Sequence, residues 1–169
     1  LIFPGLSEAI RSGEREAAGI YLRVQQAADV LLGVIAGVLC MAGHWIVFLL
    51  YDARYAGAGW MLQVLGLGLL AIRYQVLEQM MFARSQPGWV TGSNTLRAAC
   101  LGVLIPAGFA LGGERGAVMA VAASQFAGWP LALAFKLRNG LLSWRSEALW
   151  PFALMSGLAA GWLIDALLS

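Results

Sequence analysis

An all-α membrane bundle is the fold class that three features of the sequence predict. Of 169 residues, 60% are apolar and only 12% charged, with a mean hydropathy of +0.75. Apolar runs of roughly 20 residues recur along the chain, the length a helix needs to cross a hydrocarbon core about 30 Å thick. Within those runs small residues recur at every fourth position, as in helices that pack closely in lipid. Soluble domains average about 25% charged residues, so this composition excludes an ordinary soluble enzyme, a disordered chain and a nucleic-acid binder. The net charge of +2 suggests no polyanionic partner. One His and two Cys provide neither a multi-ligand metal site nor a disulfide framework, and no cofactor is expected. Cys40 and Cys100 both lie in apolar runs, where Cys acts as a small hydrophobe. The chain is read as a single membrane domain, 1–169. It opens on Leu1-Ile2-Phe3 without an initiator Met or a basic leader, the expectation for a fragment of a longer polytopic protein rather than for a signal peptide.

Five crossings follow in order, at about 27–51, 57–83, 96–111, 115–137 and 149–168. Ahead of them, residues 7–26 carry Ala17, Ile20, Tyr21 and Val24 at helical spacing, with Glu14, Arg15, Glu16 and Arg23 opposite. Ser12 is the candidate cap. The pattern fits an amphipathic helix on the cytoplasmic membrane surface, or equally a plain extension of the first crossing. Eight Lys and Arg residues fall in the loops on one side (Arg11, Arg15, Arg23, Arg84, Arg97, Lys136, Arg138, Arg145) and two on the other (Arg54, Arg115). Positive residues favour the cytoplasm, so 7–26, 84–95 and 136–147 are expected inside, with very short loops outside.

Gly33/Gly37 and Gly157/Gly161 are Gly-x-x-x-Gly pairs, and Gly116, Ala120, Ser124 and Gly128 form a stripe on the fourth crossing. Pro106 and Pro130 are expected to interrupt the third and fourth crossings. Trp45, Trp60, Trp89, Trp144, Trp150 and Trp162 sit near crossing ends, as an interfacial aromatic belt would. His44 stands beside Trp45 without an evident partner.

No catalytic set is present. The one costly residue is Arg73, in the middle of the second crossing, where insertion costs at least about 2.5–3.5 kcal/mol. Gln75, Glu78 and Gln79 follow it, and these four residues are the candidate substrate-binding set, lining a polar cavity. Arg73 either meets an anionic group such as a phosphate, held by paired hydrogen bonds, or pairs with a carboxylate on a neighbouring helix.

Several short patterns resemble polysaccharide flippases of the multidrug/oligosaccharidyl-lipid/polysaccharide exporter superfamily. They are Phe3-Pro4-Gly5-Leu6-Ser7 with Glu14-Arg15-Glu16; Leu49-Leu50-Tyr51 with Tyr55-Ala56-Gly57; Phe82-Ala83-Arg84 through Asn94-Thr95-Leu96-Arg97; and Leu104-Ile105-Pro106 before Gly112-Gly113 and Gly116-Ala117. Asp52 and Ala83 stand where that pattern has Gly. The resemblance implies the C-terminal lobe of a two-lobed transporter in the bacterial inner membrane, a multi-pass flippase for undecaprenyl-pyrophosphate-linked oligosaccharide in O-antigen or lipopolysaccharide assembly, working by alternating access. Its partners would be the lipid-linked substrate, the bilayer and the remaining lobe of the same polypeptide. Alternatives are a drug or lipid II exporter of the same superfamily, a membrane enzyme of glycan assembly, and a purely structural subunit. Short outer loops and the missing His/Asp/Glu set disfavour an enzyme.

The expected orientation is directly testable. Single cysteines at Ser12 and Ser143, in a background lacking Cys40 and Cys100, should resist a membrane-impermeant thiol reagent in intact cells. Ready labelling of either from outside would reverse the topology.

Overall fold

A computed structural model describes residues 13–51 and 53–168; the proposed Ser12 cap, residues 7–12 of the amphipathic segment and Asp52 lie outside them. The described chain is all helical. Helix α1 (Glu14–Leu50) is followed by a short tight-helical turn (Ala53–Ala58), then α2 (Gly59–Gly66), a 3₁₀ stretch (Leu67–Ala71), α3 (Ile72–Ala83), α4 (Pro87–Ser124), α5 (Trp129–Arg138) and α6 (Trp144–Leu168). Four stretches are long and apolar enough to cross a membrane: Arg15–Leu50, Gly59–Ala83, Pro87–Arg138 and Trp144–Leu168.

The third of these is 52 residues long, about 78 Å as a straight helix, more than twice a hydrocarbon core. It doubles back instead. Gly112 (φ −137°) and Gly113 (φ 58°, ψ −140°) break α4 into two arms, 87–111 and 114–124. Only glycine readily adopts the conformation of Gly113. The two expected crossings at 96–111 and 115–137 therefore lie on opposite limbs of one hairpin. Across it the backbones of Gly108 and Gly116 touch: a Cβ at Gly108 would lie 2.5 Å from the Gly116 carbonyl oxygen. The small-residue stripe continues this contact, with Ala120 against Gly108 and Gly128 beside Ser93 and Arg97.

Two expectations are resolved. The fourth crossing is interrupted next to Pro130: α4 ends at Ser124, turns occupy residues 125–128, and Pro130 sits in the first turn of α5, where its missing N–H costs nothing. The segment read as a possible surface helix is continuous with the first crossing. Residues 14–26 open the 37-residue α1, and Ala17 and Tyr21 pack against Val76, Leu77, Met80, Val90, Phe135 and Leu141 rather than facing outward. Pro106 does lie within a helical arm.

Helices α1 and α6 run parallel in close contact, and the two Gly-x-x-x-Gly pairs make it possible. Gly33 meets Ala153 and Leu154, Gly37 meets Gly157 and Leu158, and Gly161 meets Val38 and Met41. One end of the bundle gathers the start of α1, the 83–87 turn and the 138–144 loop, tied by an Arg84–Asn139 hydrogen bond. The 83–87 turn places Ser85 at φ 56°, a left-handed conformation uncommon for a side-chain-bearing residue. The other end gathers the close of α1, residues 53–60, the Gly112–Gly113 reversal and the end of α6. There the Trp45 indole donates to Asp165 at 2.9 Å, and Arg115 lies over the Trp60 ring. His44 has partners after all, with its ring 3.5 Å from Asp165 and 3.4 Å from the Gln63 amide. Large apolar side chains remain exposed along the outer face, among them Val103, Phe109, Leu111, Met155 and Leu167. A surface of that extent needs a covering other than water.

The glycine contacts give a paired prediction. Gly37→Ala would push a methyl to within 2.5 Å of the Leu158 backbone nitrogen and should cost about 1–3 kcal/mol by overpacking. Gly19→Ala meets nothing within 4 Å and should be neutral or gain up to about 1 kcal/mol from helix propensity. Thermal unfolding of the two variants in detergent checks the contrast, and equal melting temperatures would refute it.

Candidate functional site

The centre of the candidate site is a cluster of four charges drawn from four helices. Helix α1 supplies Asp29 and Gln25, one turn apart on its inner face; α3 supplies Arg73; α5 supplies Lys136; and α6 supplies Glu147 from its first turn. All but Glu147 are buried by residue exposure, with Gln25 at 1% and Asp29 at 3%. Arg73 Nη2 donates to Glu147 Oε2 at 2.7 Å, and Lys136 Nζ donates to Glu147 Oε1 at 2.6 Å. Arg73 Nε lies 3.2 Å from Asp29 Oδ1, an ion pair by distance whose angle is too poor for a hydrogen bond. Gln25 bridges the set: its carbonyl oxygen accepts from Lys136 Nζ at 3.2 Å, and its amide donates to Asp29 at 3.3 Å and Glu147 at 3.4 Å. Two cations face two carboxylates, so the cluster is neutral as a whole.

Local sequence explains the positions. Arg73 is the second residue of α3, which follows the 3₁₀ stretch Leu67–Ala71, whose three-residue repeat rotates the following helix relative to a continuous α-helix. Glu147 is the one acidic residue in the first turn of α6, where the helix dipole favours negative charge. Lys136 lies in the last turn of α5, the complementary placement for a cation. The Arg73 guanidinium also sits 5.9 Å from the Trp150 ring centroid, within cation–π range.

The charges form part of the wall of a cavity of about 470 Å³. Arg73 and Glu147 contribute its polar part, and Tyr74, Phe126, Trp129, Trp144 and Trp150 most of its aromatic surface, completed by Leu70, Leu133 and Leu142. A smaller hollow shares Arg73, Tyr74, Trp129, Leu133 and Glu147 with it and adds Lys136. A second, more polar hollow of about 700 Å³ opens at the same end of the bundle, between the 85–89 turn and Leu131, Arg138 and Asn139. Arg138 stacks there on Trp89. Trp89 and Trp150 thus serve as internal packing and cavity surface, while Trp144 and Trp162 remain largely exposed.

Of the four residues singled out from sequence, only Arg73 reaches this site. Gln75 is exposed and Gln79 half-buried; Glu78 faces α4, 3.9 Å from Arg97. Helix phase explains the separation: at about 100° per residue, positions 75, 78 and 79 lie roughly 200°, 140° and 240° around from 73. Of the two readings left open for Arg73, the geometry supplies the carboxylate partner, and supplies two. Asp29, Lys136, Glu147 and Gln25 were not singled out, although Asp29 is the lone acid in the 27–51 apolar run and the obvious counter-charge to a lone intramembrane Arg. Among the described residues no group of three His, Cys, Asp or Glu is placed to hold a metal. Compared with protein-family models, curated proteins and solved structures, the chain matches none.

Asp29 and Arg73 should be strongly coupled. Asp29→Leu leaves two buried cations against one carboxylate and should cost about 3–5 kcal/mol. Combining it with Arg73→Met restores neutrality around the Lys136–Glu147 pair, so the double variant should melt above either single variant. Additive losses in detergent thermal unfolding would show that the pair does not share a dry environment.

Proposed function

We propose that this chain is part of a lobe of a multi-pass transporter in the bacterial inner membrane that flips undecaprenyl-pyrophosphate-linked oligosaccharide by alternating access, and that it works as a transporter and not as an enzyme. The observation that carries the reading is the cavity in which a Trp-rich wall stands beside an Arg–Glu pair. Aromatic faces suit the apolar faces of sugar rings, and a cation suits a phosphate. A volume of about 470 Å³ is that of a ligand site, with room for part of a glycan. The four apolar stretches and the resemblance of the Pro-Gly-Leu-Ser, outer-turn and Leu-Ile-Pro segments support the same reading. The cavity would then face the second lobe, with the lipid tail left in the bilayer.

The runner-up is a drug or lipid II exporter of the same superfamily. The apolar share of the lining, Leu70, Phe126, Leu133 and Leu142, favours it for amphipathic drugs.

Surface-glycan complementation with the full-length gene distinguishes the two. Trp150→Ala should lower glycan display at least about tenfold at normal membrane expression, since losing an aromatic contact in a desolvated pocket costs more than about 1.4 kcal/mol. Trp162→Ala, at an exposed position on α6, should leave display unchanged. Full display by the Trp150 variant would remove the cavity from glycan transport, and loss of drug tolerance alone would favour the runner-up.

A further inference from the structure

Glu147 differs from the other charges of the cluster in three ways. Its side chain is 24% exposed, against 1% for Asp29, 6% for Lys136 and 9% for Arg73. It is the carboxylate that lines the aromatic cavity, whereas Asp29 does not. Among the described residues it is also the only anion that both cations contact, with Arg73 on one oxygen and Lys136 on the other.

Taking Glu147 away would leave Arg73 and Lys136 against Asp29 alone, an excess of one positive charge at the cavity wall. A carboxylate and a phosphate present the same kind of oxygen edge to a guanidinium and an ammonium. Arg73 lines the cavity itself, while Lys136 lies behind Glu147 in an adjoining hollow of only about 10 Å³, so Lys136 comes within reach of a cavity-bound anion once the Glu147 carboxylate swings away. We propose that Glu147 is a displaceable internal counter-ion: the phosphate of an incoming lipid-linked substrate replaces its carboxylate on Arg73 and Lys136, while Asp29 and Gln25 hold the two cations in place. This rests on the flippase reading and specifies how its site takes the charged part of the substrate. No bond is made or broken; one anion exchanges for another. The resting cluster keeps two membrane-buried cations neutral when no substrate is bound, and the substrate is selected because only an anion can take over that role.

The test uses the full-length protein in phosphatidylcholine nanodiscs and measures equilibrium binding of undecaprenyl pyrophosphate, with undecaprenol as the uncharged control. Glu147→Gln removes the competing charge and should bind undecaprenyl pyrophosphate at least tenfold more tightly than the natural protein. Glu147→Asp keeps the charge but withdraws it by one methylene; it should bind a few-fold more tightly and serves if the Gln variant does not fold. Undecaprenol binding should not change in either. Inorganic pyrophosphate, titrated alone, assigns the source. The same order of affinities there means that phosphate suffices, and the order with the lipid alone means that the headgroup is read together with its tail. Equal or weaker binding of undecaprenyl pyrophosphate by the two variants would overturn the exchange while leaving the flippase reading in place. No binding of undecaprenyl pyrophosphate by any of the proteins would overturn both.

Discussion

Buried charge has to be balanced, and at one end of this bundle that constraint joins four helices that otherwise meet only in part. Withdrawing an ion from water costs several kcal/mol even after relaxation, so Arg73 is tolerable only where carboxylates come to it. Asp29 does so from α1 and Glu147 from α6, and Glu147 brings Lys136 of α5 with it. Gln25 closes the ring as the neutral member, using its amide oxygen on the cation and its amide nitrogen on the anions. The glycine seam between α1 and α6 runs from this cluster to the Trp45–Asp165 bond at the other end. The two long helices are thus fixed at both ends by polar contacts and between them by backbone proximity.

Arg73 and Glu147 also form part of the cavity wall, so the contacts that join the helices set the charge of the cavity as well. Sites built this way trade rigidity against use, because any ligand that engages the wall competes with an interaction the fold relies on. The more buried Asp29–Arg73–Gln25 side provides the part that need not move.

Much of the architecture is legible in the chain itself. Apolar run length marks the helices, and the two Gly-x-x-x-Gly pairs do form a seam, here with each other. The stripe Gly116–Ala120–Ser124–Gly128 does pack, against the facing limb of its own hairpin. Arg73 stands out because its cost in an apolar helix can be estimated from sequence. Its partners are harder to see. Gln75, Glu78 and Gln79 are near in sequence but on the wrong arc of the helix, while Glu147 and Lys136 lie 74 and 63 positions away and read as loop charges. The interruption at 125–128 is likewise hidden, since Phe126, Ala127 and Gly128 continue an apolar run whose hydropathy does not report the change from α-helical to i→i−3 hydrogen bonding.

The order in which the parts are made follows from the separation of α1 and α6. A chain synthesised from its N-terminus completes Asp29, Arg73 and Lys136 before Glu147, and the glycines of α6 that seat on α1 come later still. The 87–124 hairpin closes on itself through Gly108 and Gly116 and needs nothing downstream. Until α6 emerges, the nascent bundle carries one more buried cation than carboxylate and an open groove along α1. Assembly of this charge cluster therefore waits for α6, and a chain arrested before residue 147 holds a buried cation without its counter-charge.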